Sequence, residues 1–267
     1  MNTLSEYTKF AIDIAKKAGL IQMSYFGNLT EIKKKSNHID ILTEADTKSE
    51  ELIVKEISQL YPDHSIVSEE SKDIYKDSEY KWIIDPLDGT TNFAHNLPIF
   101  AVSIALLKNN NIISGVVFNP AADKCFYAEI NKGAYLNDNK INISSSTTLC
   151  DSLLSTGFPY LHDSRYHLSF ELFKDFYDKT RGIRRLGAAA LDLCFVAMGR
   201  FDGFYEFELN SWVIAAGSLI VKEAGGLVTD WDGKILPLNG KRILASNGRI
   251  HKEMIEILTN DKYKIFY

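Results

Sequence analysis

Two aspartates, Asp85 and Asp88, stand three residues apart in the segment KWIIDPLDGTTNF, directly after a short apolar run. That run, residues 82–84, predicts a buried strand that delivers Asp85 at its end, and Pro86 would stiffen the turn that presents Asp88. Two carboxylates brought together raise each other's proton affinity unless a cation neutralises them, so the arrangement favours a hard metal ion, Mg²⁺ above all. Taken alone, DPLDG could instead be a simple turn, because Asp-Pro and Asp-Gly are common turn formers.

Two further acidic segments favour the metal site. Glu69 lies in SIVSEE, at the end of another predicted strand, where its carboxylate could complete a set of ligands. The segment DILTEAD holds Asp40 and Asp46 at a junction between a loop and a helix, where Thr43 could cap the helix. Asp46 would face inward as an acceptor. Each segment is weak evidence alone, whereas the three together indicate one site.

The residues after the aspartate pair could bind a phosphate. Backbone N–H groups and hydroxyls at the start of a helix attract anions, and this segment offers both. The residues that could cradle a phosphate are Gly89, Thr90, Thr91 and Asn92.

Periodic patterns place these segments on an α+β scaffold. Apolar residues at three- and four-residue steps predict helices over about 3–26 and 45–60. Short β-like runs within 65–130, several of them separated by Asn and Gly, predict an antiparallel meander, and the chain after about residue 151 alternates between strand and helix patterns. We therefore expect one domain, 1–267, of stacked helix and sheet layers, with two lobes of roughly 1–150 and 151–267.

The composition is that of an ordinary globular protein. Of 267 residues, 45% are hydrophobic and 24% are charged, and the net charge of −5 argues against a general nucleic-acid or anionic-membrane surface. No direct nucleic-acid binding and no membrane attachment are expected. The N-terminal segment has no continuous apolar stretch of the secretory kind, which indicates a cytoplasmic protein. The three cysteines are widely spaced and odd in number, which favours reduced structural thiols.

Together these motifs resemble the inositol monophosphatases, Mg²⁺-dependent, lithium-sensitive phosphatases related to fructose-1,6-bisphosphatases. The resemblance covers nearly the whole chain, to about Leu258, and implies the layered α/β sandwich of that family. The TTNF ending of DPLDGTTNF favours the inositol and fructose branch over the nucleotide 3′-phosphatase branch. The segments that carry the resemblance are DILTEAD at 40–46, EES at 69–71, DPLDGTTNF at 85–93, GAAALDL at 187–193, and WVIAAG with KEAGG at 212–226.

The resemblance implies a metal-binding role for four matching positions. Glu69, Asp85 and the backbone carbonyl of Leu87 would hold one Mg²⁺. Asp85 and Asp88 would share a second one.

Other matching residues would serve catalysis and substrate binding. Thr90, hydrogen-bonded to Asp46, would orient a metal-activated water and help to deprotonate it, and this water would attack phosphorus directly. Glu69 would belong to the same set of catalytic residues. Glu206 would accept hydroxyls of a polyol substrate, and the backbone of 187–189 would line the same pocket. From its own surroundings in FYEFE, Glu206 could instead be a solvated strand residue. The implied substrate-binding residues are Asp88, Gly89, Thr90, Thr91, Ala189 and Glu206.

One position departs from the family's pattern. The stretch LNSWVIAAGSLIVKEAGG predicts a buried helix capped by Asn210 or Ser211, yet its first turn has no acidic residue. In the family the tryptophan of this motif is followed by an aspartate, the third protein ligand of the second metal, and here that residue is Val213. Because valine cannot coordinate Mg²⁺, the resemblance implies a phosphatase weakened at that site.

The sequence therefore predicts a Mg²⁺-dependent phosphomonoester hydrolase for inositol monophosphate or a related sugar or polyol phosphate. Fructose-1,6-bisphosphate and NADP are alternative substrates, between which the loop TGFPYLHDSRYH at 156–167 could decide. The fold could also be retained without catalysis, as a binding partner of another protein. Family resemblance further implies a homodimer.

Overall fold

The computed structural model describes residues 4–34, 41–159 and 163–267. Asp40 of DILTEAD lies outside these residues, as do residues 160–162 of the loop expected to influence substrate choice. The helices are α1 (Glu6–Tyr25), α2 (Glu44–Leu60), α3 (Thr90–Ala94), α4 (Tyr166–Tyr177), α5 (Ala189–Ala197), α6 (Ser211–Glu223) and α7 (His251–Leu258). Two short 3-10 helices are Leu149–Asp151 and Asp261–Phe266.

The strands of the described residues form a two-stranded, a seven-stranded and a five-stranded sheet. They are β1 (Ile32–Lys34), β2 (Ile41–Thr43), β3 (Ser65–Ser68), β4 (Tyr80–Asp88), β5 (Ala101–Lys108), β6 (Asn111–Asn119), β7 (Lys124–Glu129), β8 (Ala134–Leu136), β9 (Asn139–Ile141), β10 (Leu153–Thr156), β11 (Gly182–Arg184), β12 (Gly203–Phe207), β13 (Leu227–Thr229) and β14 (Arg242–Ser246).

The seven-stranded sheet has the order β3-β4-β5-β6-β7-β8-β9. β3 and β4 are parallel, and the later neighbours are antiparallel, which confirms the predicted meander. Side chains alternate along β4: Trp82 and Ile84 belong to the core shared with α1 and α2, and Ile83 belongs to the core shared with α5 and α6. The same alternation places Asp85 on the α5–α6 face.

The five-stranded sheet has the order β11-β10-β12-β14-β13. β10 is parallel to β11 and β12, whereas β14 is antiparallel to β12 and β13. α5 and α6 lie between the two sheets, since their buried residues share one core with Ala105 of β5 and Phe204 of β12. α4 and α7 cover the outer face, where Leu172 and Met254 pack with Tyr205. The chain is a stack of alternating helix pairs and sheets, which confirms the predicted α+β layered fold.

Periodic patterns missed four of the short strands. β1, β2, β8 and β9 each have three residues, too few to show a period in the sequence. The predicted start of the first helix near residue 3 lies outside the described residues, and within them α1 begins after Ser5, whose hydroxyl accepts from Thr8 N–H. The sheet changes between Ile141 and Leu153, close to the expected boundary at 150, and the division into two lobes stays a prediction.

None of the described helices has the length and apolar content that a membrane span requires. The three cysteines are free. Burial raises the pKa of the Cys125 thiol to about 11, which keeps this thiol protonated and unreactive near neutral pH.

Candidate active site

A bulge in β4 determines how the two aspartates point. Across the β4–β5 ladder Asp85 pairs with Ser103 and Asp88 pairs with Ala101, so a three-residue step on β4 matches a two-residue step on β5. In a regular strand, residues three apart point to opposite faces, and the extra residue of a bulge returns them to one face. Pro86 suits this position because it has no N–H to contribute to the ladder. The turn predicted at Pro86 is therefore wrong: β4 continues to Asp88 through the bulge.

Asp88 is anchored by the N-terminus of α5. Its Oδ2 accepts from the backbone N–H of Ala190 at 2.8 Å, in the first turn of a helix whose own cap residue, Ala188, has no side-chain acceptor. Burial raises the pKa of Asp88 to about 7, and the N–H groups at this helix end oppose the rise. Asp88 thus has a structural role as a cap in addition to its place in the site.

Asp85 is the more deeply buried of the pair. Its Oδ1 accepts from the N–H of Leu87 at 3.0 Å, across the bulge. Burial raises the pKa of Asp85 well above its usual value, and the nearby charges of Glu69 and Asp88 raise it further. Glu69 directly follows β3, whose last residue, Ser68, pairs with the residue just before Asp85. Three carboxylates therefore approach one another near the ends of two adjacent strands.

α2 supplies a fourth carboxylate, Asp46. The N–H and the hydroxyl of Thr43 donate to Asp46 Oδ2 at 2.8 and 2.5 Å, closing the start of the helix. The Thr90 hydroxyl lies 3.0 Å from Asp46 Oδ1 and 3.1 Å from the carbonyl oxygen of Leu87. Because the hydroxyl has a single proton, it can donate to only one of these two oxygens at a time. Burial raises the pKa of Asp46 to about 6, against the lowering effect of the bonds from Thr43 and Thr90.

These side chains meet at one cavity of about 160 Å³. Asp46, 1% exposed, does not line the cavity itself but reaches it through the hydroxyl of Thr90. Thr91 lies on α3 and is not part of the lining. The predicted residues that line the cavity are Glu69, Asp85, Leu87, Asp88, Gly89, Thr90, Gly187, Ala188, Ala189 and Glu206.

Glu206 faces the cavity because of its position on β12. Phe204, two residues earlier, belongs to the core between the two sheets, and alternation points Glu206 to the same layer. Burial raises the pKa of Glu206 to about 8, and the positive charge of Arg185 opposes the rise. The carboxylate lies over Gly157, where a Cβ would come 2.1 Å from Glu206 Oε1. These surroundings disfavour the alternative that Glu206 is an ordinary solvated strand residue.

Three further charged residues line the cavity, and sequence reasoning missed them: Arg185, Asp192 and Glu208. Asp192 lies within the GAAALDL motif, and Glu208 is two residues from Glu206, so both had a weak signal. Glu208 has a φ of +64° and pairs with Arg165. A residue other than glycine in the left-handed region marks local strain beside the cavity.

The first turn of α6 borders the same cavity through Trp212 and Val213. Asn210 occupies the cap position, but its side-chain oxygen accepts from Lys241 Nζ at 2.6 Å and makes no capping bond to the helix. This helix start therefore has neither a side-chain cap nor an acidic residue in its first turn. Val213 places an apolar side chain where positive potential from the helix meets the carboxylate-lined cavity.

A model of the inositol monophosphatase family matches residues 3–262. The chain belongs to this family. Three relatives are an inositol-1-monophosphatase of Synechocystis (41% identical, over 96% of this chain and 89% of the relative), a fructose-1,6-bisphosphatase/inositol-1-monophosphatase of Thermotoga maritima (39%, over 93% and 94%) and the Nus factor SuhB of Haemophilus influenzae (41%, over 92% of both). The solved structure of the extragenic suppressor protein SuhB from Bartonella henselae matches with a TM-score of 0.91 at 39% identity, over 96% of this chain and 100% of that one.

In this member of the inositol monophosphatase family, the groups of the cavity lining that could hold a cation offer oxygens. They are the carboxylates of Glu69, Asp85 and Asp88 and the carbonyl of Leu87. In the described ranges, no three His, Cys, Asp or Glu side chains are grouped closely enough to hold an ion by themselves. Mg²⁺ is usually bound through one or two carboxylates and several waters rather than by a closed protein cage, so an all-oxygen set of this kind fits it.

Proposed function

We propose that the chain is a Mg²⁺-dependent phosphatase that hydrolyses inositol monophosphate or a related sugar or polyol phosphate. One observation carries this proposal: the bulge in β4 turns Asp85 and Asp88 to one face, beside Glu69 and the Asp46–Thr90 hydrogen bond. Family membership supports metal dependence in general. The all-oxygen donor set supports Mg²⁺ in particular.

We assign Glu69, Asp85 and the Leu87 carbonyl to one cation, and Asp85 with Asp88 to a second. When bound, the cations would neutralise phosphate oxygens, activate a water and stabilise the leaving alkoxide. Burial and mutual repulsion raise the pKa of Asp85, which is the electrostatic condition that a bound cation relieves.

Thr90 and Asp46 would orient the attacking water. If the Leu87 carbonyl is directed to a cation, the Thr90 proton goes to Asp46 Oδ1, and the lone pairs of the threonine oxygen are then free to accept from water. The described residues that line the cavity include no Cys, His or Ser, which favours direct hydrolysis over a covalent intermediate on such a residue.

Glu206 would accept hydroxyls of the substrate, and Gly89 and Ala189 would approach it with their backbones. Gly89 has a φ of +92°, and a Cβ there would lie 2.8 Å from the carbonyl oxygen of Ile99. Glycine therefore brings the chain close to its neighbours at the point where the phosphate would lie. Thr91, outside the cavity lining, would contribute only through its backbone at the start of α3.

Val213 would weaken the second cation site. The family's third ligand for that metal is absent at this position, so Asp85 and Asp88 would be its remaining protein ligands. We expect low activity or an unusually high requirement for Mg²⁺.

The substrate can be tested directly by measuring phosphate release at millimolar Mg²⁺ from inositol-1-phosphate, fructose-1,6-bisphosphate and NADP. We expect inositol-1-phosphate to be hydrolysed fastest. The double name of the Thermotoga maritima relative makes fructose-1,6-bisphosphate the main alternative. Asp85→Asn should abolish both turnover and Mg²⁺ binding, because this residue is assigned to both cations. Retained Mg²⁺ affinity in that variant, measured by calorimetry, would overturn the assignment.

A second candidate function is binding to another protein without catalysis. It is favoured by Val213 and by the name Nus factor given to the Haemophilus influenzae relative. Turnover of none of the three substrates, together with tight association with another protein, would support this role over catalysis.

We also propose a homodimer, in line with family membership. Sedimentation at micromolar concentration tests this, and a species with the mass of one chain would refute it.

A further inference from the structure

α2 carries a second buried carboxylate, Glu50, one turn after Asp46. Residues four apart on a helix lie on the same face, so both carboxylates point toward the site side of α2. Glu50 is 4% exposed. A carboxylate this buried destabilises a protein unless hydrogen bonds compensate it, so the identity of its donors indicates what the residue does.

Among the described residues, the two donors to Glu50 flank Glu69. The Ser68 hydroxyl and the Glu70 N–H donate to the same atom, Glu50 Oε2, and the second of these bonds is 2.9 Å long. Ser68 is itself 4% exposed and is the last residue of β3. Glu69 therefore lies between two residues that both donate a hydrogen bond to Glu50 Oε2.

The position of these bonds matters because β3 ends there. Within β3, ladder hydrogen bonds to β4 determine the path of the chain as far as Ser68. Beyond it the backbone bends at 69 and 70, and the direction of the Glu69 carboxylate depends on contacts outside the ladder. Glu50 supplies one such contact on each side of Glu69.

We propose that Glu50 is a positioning residue that presents Glu69 to Asp85 and to a divalent cation. This inference rests on the proposed function, in which Glu69 is a metal ligand. One face of α2 then organises both parts of the site: Asp46 directs the hydroxyl of Thr90, and Glu50 directs the carboxylate of Glu69.

The test is the affinity of the full chain for Mg²⁺, measured by isothermal titration calorimetry without substrate. Glu50→Ala removes the acceptor, and we expect Mg²⁺ binding to weaken by about 10–100-fold, the usual effect of losing a residue that orients a ligand. Glu50→Gln keeps an oxygen that can accept both bonds but loses the charge, and it should stay within a few-fold of the unmodified chain. Glu51→Ala is the matched control on the same helix: its exposed side chain pairs with Lys48, and its loss should change nothing.

A second variant approaches the same contact from β3. Ser68→Ala removes one donor and should weaken Mg²⁺ binding less than Glu50→Ala does. The double variant should bind no more weakly than Glu50→Ala alone, because both changes remove the same interaction. Urea unfolding of each variant shows whether a loss of affinity is merely a loss of the fold.

The outcomes are distinct. Unchanged Mg²⁺ affinity in Glu50→Ala overturns the proposal, and so does an equal loss in Glu50→Gln, which would mean that Glu50 acts through its charge. If Glu50→Ala does not fold, Ser68→Ala decides: weaker binding supports the proposal and unchanged binding overturns it. If the unmodified chain binds no divalent cation, the proposed metal role of Glu69 is overturned together with this inference. If the unmodified chain and all variants bind the cation with the same affinity, only this inference is overturned.

Discussion

Val213 is the residue whose replacement we expect to change the chemistry of this site most. It borders the carboxylate-lined cavity in the first turn of a helix that has no side-chain cap. Val213→Asp would place a carboxylate where the helix dipole favours it and a bound cation offsets its desolvation. We expect Mg²⁺ to bind at least ~10-fold more tightly and turnover to rise, since loss of even an indirect support costs about that much.

Steady-state kinetics over a range of Mg²⁺ concentrations, with and without lithium, measure this change. Val213→Asn is the matched control, because it has nearly the shape of aspartate and an oxygen donor but no charge, and it should restore less. We expect the unmodified chain to respond weakly to lithium, because we expect lithium to act at the second site. Ordinary Mg²⁺ dependence, full turnover and strong lithium inhibition of the valine protein would show that another residue supplies the ligand.

Thr90 is the residue whose hydroxyl we expect to act mainly in the transition state. Thr90→Ala should lower kcat by about 100-fold or more and leave KM nearly unchanged, because orienting a water contributes little to substrate binding. Thr90→Ser keeps the hydroxyl that lies 3.0 Å from Asp46 Oδ1 and should retain most of the activity. A change confined to KM would instead assign Thr90 to substrate binding.

At the scale of elements, the connection from β4 to α3 depends on Gly89. Its φ is +92°, and a Cβ would come 2.8 Å from the carbonyl oxygen of Ile99 and 3.2 Å from Ala188 Cβ. Gly89→Ala should therefore lower the free energy of unfolding by more than about 1 kcal/mol, since both the dihedral angle and a backbone contact oppose the methyl group. Activity should fall with it, because Asp88 and Thr90 flank this position. Urea unfolding and phosphate release measure the two effects.

Gly27→Ala is the control for that experiment. Gly27 has a similar φ of +81°, but the nearest atom to an added Cβ is Asn96 Oδ1 at 3.9 Å. It should cost less stability than Gly89→Ala and leave activity unchanged. An equal loss of stability in the two variants would show that the dihedral angle, and not the contact, determines the cost.

The elements also show why some features of the site could be predicted from the sequence and others could not. Long helices and strands have enough residues to show a period, and the carboxylates at their ends stand in short local motifs. The bulge at Asp85 and Asp88 is not local, because it is defined by pairing with β5. The capping of α5 by Asp88 could not be predicted from a local motif either, since donor and acceptor lie about a hundred residues apart in the sequence.

At the scale of the whole molecule, the layered fold was predictable because each layer leaves its own periodic pattern, while the charge balance of the cavity was not. Asp192 joins the site from α5, whereas Arg185 and Glu208 join it from the residues that directly follow β11 and β12. Their convergence depends on how the five-stranded sheet packs against α5. No single segment of the sequence indicates this packing. The residues of the motif could be named from the sequence, but their electrostatic surroundings required the fold.

We expect the stability of the whole molecule in acid to depend in part on His251, at the start of α7. The ring is 5% exposed, and its nitrogens lie 2.9 Å from Thr229 Oγ1 and 2.8 Å from Ser246 Oγ. Burial lowers the pKa of His251 from 6.5 to about 4. The unfolded chain therefore takes up this proton at higher pH than the folded chain does. The contribution of His251 to stability is complete above pH 6.5 and is lost as the pH falls from there toward 4.

His251→Gln removes this proton uptake while keeping hydrogen-bonding atoms in the side chain. Between pH 7 and pH 5, the unmodified chain should lose on the order of 1 kcal/mol more unfolding free energy than the variant, since only the unmodified chain must exclude a proton from a buried ring. Urea unfolding at the two pH values measures both losses. His167→Gln, at an exposed histidine of α4, is the control and should lose as much as the unmodified chain. Equal losses in the His251 variant and the unmodified chain would show that carboxylates, and not this histidine, determine the acid sensitivity.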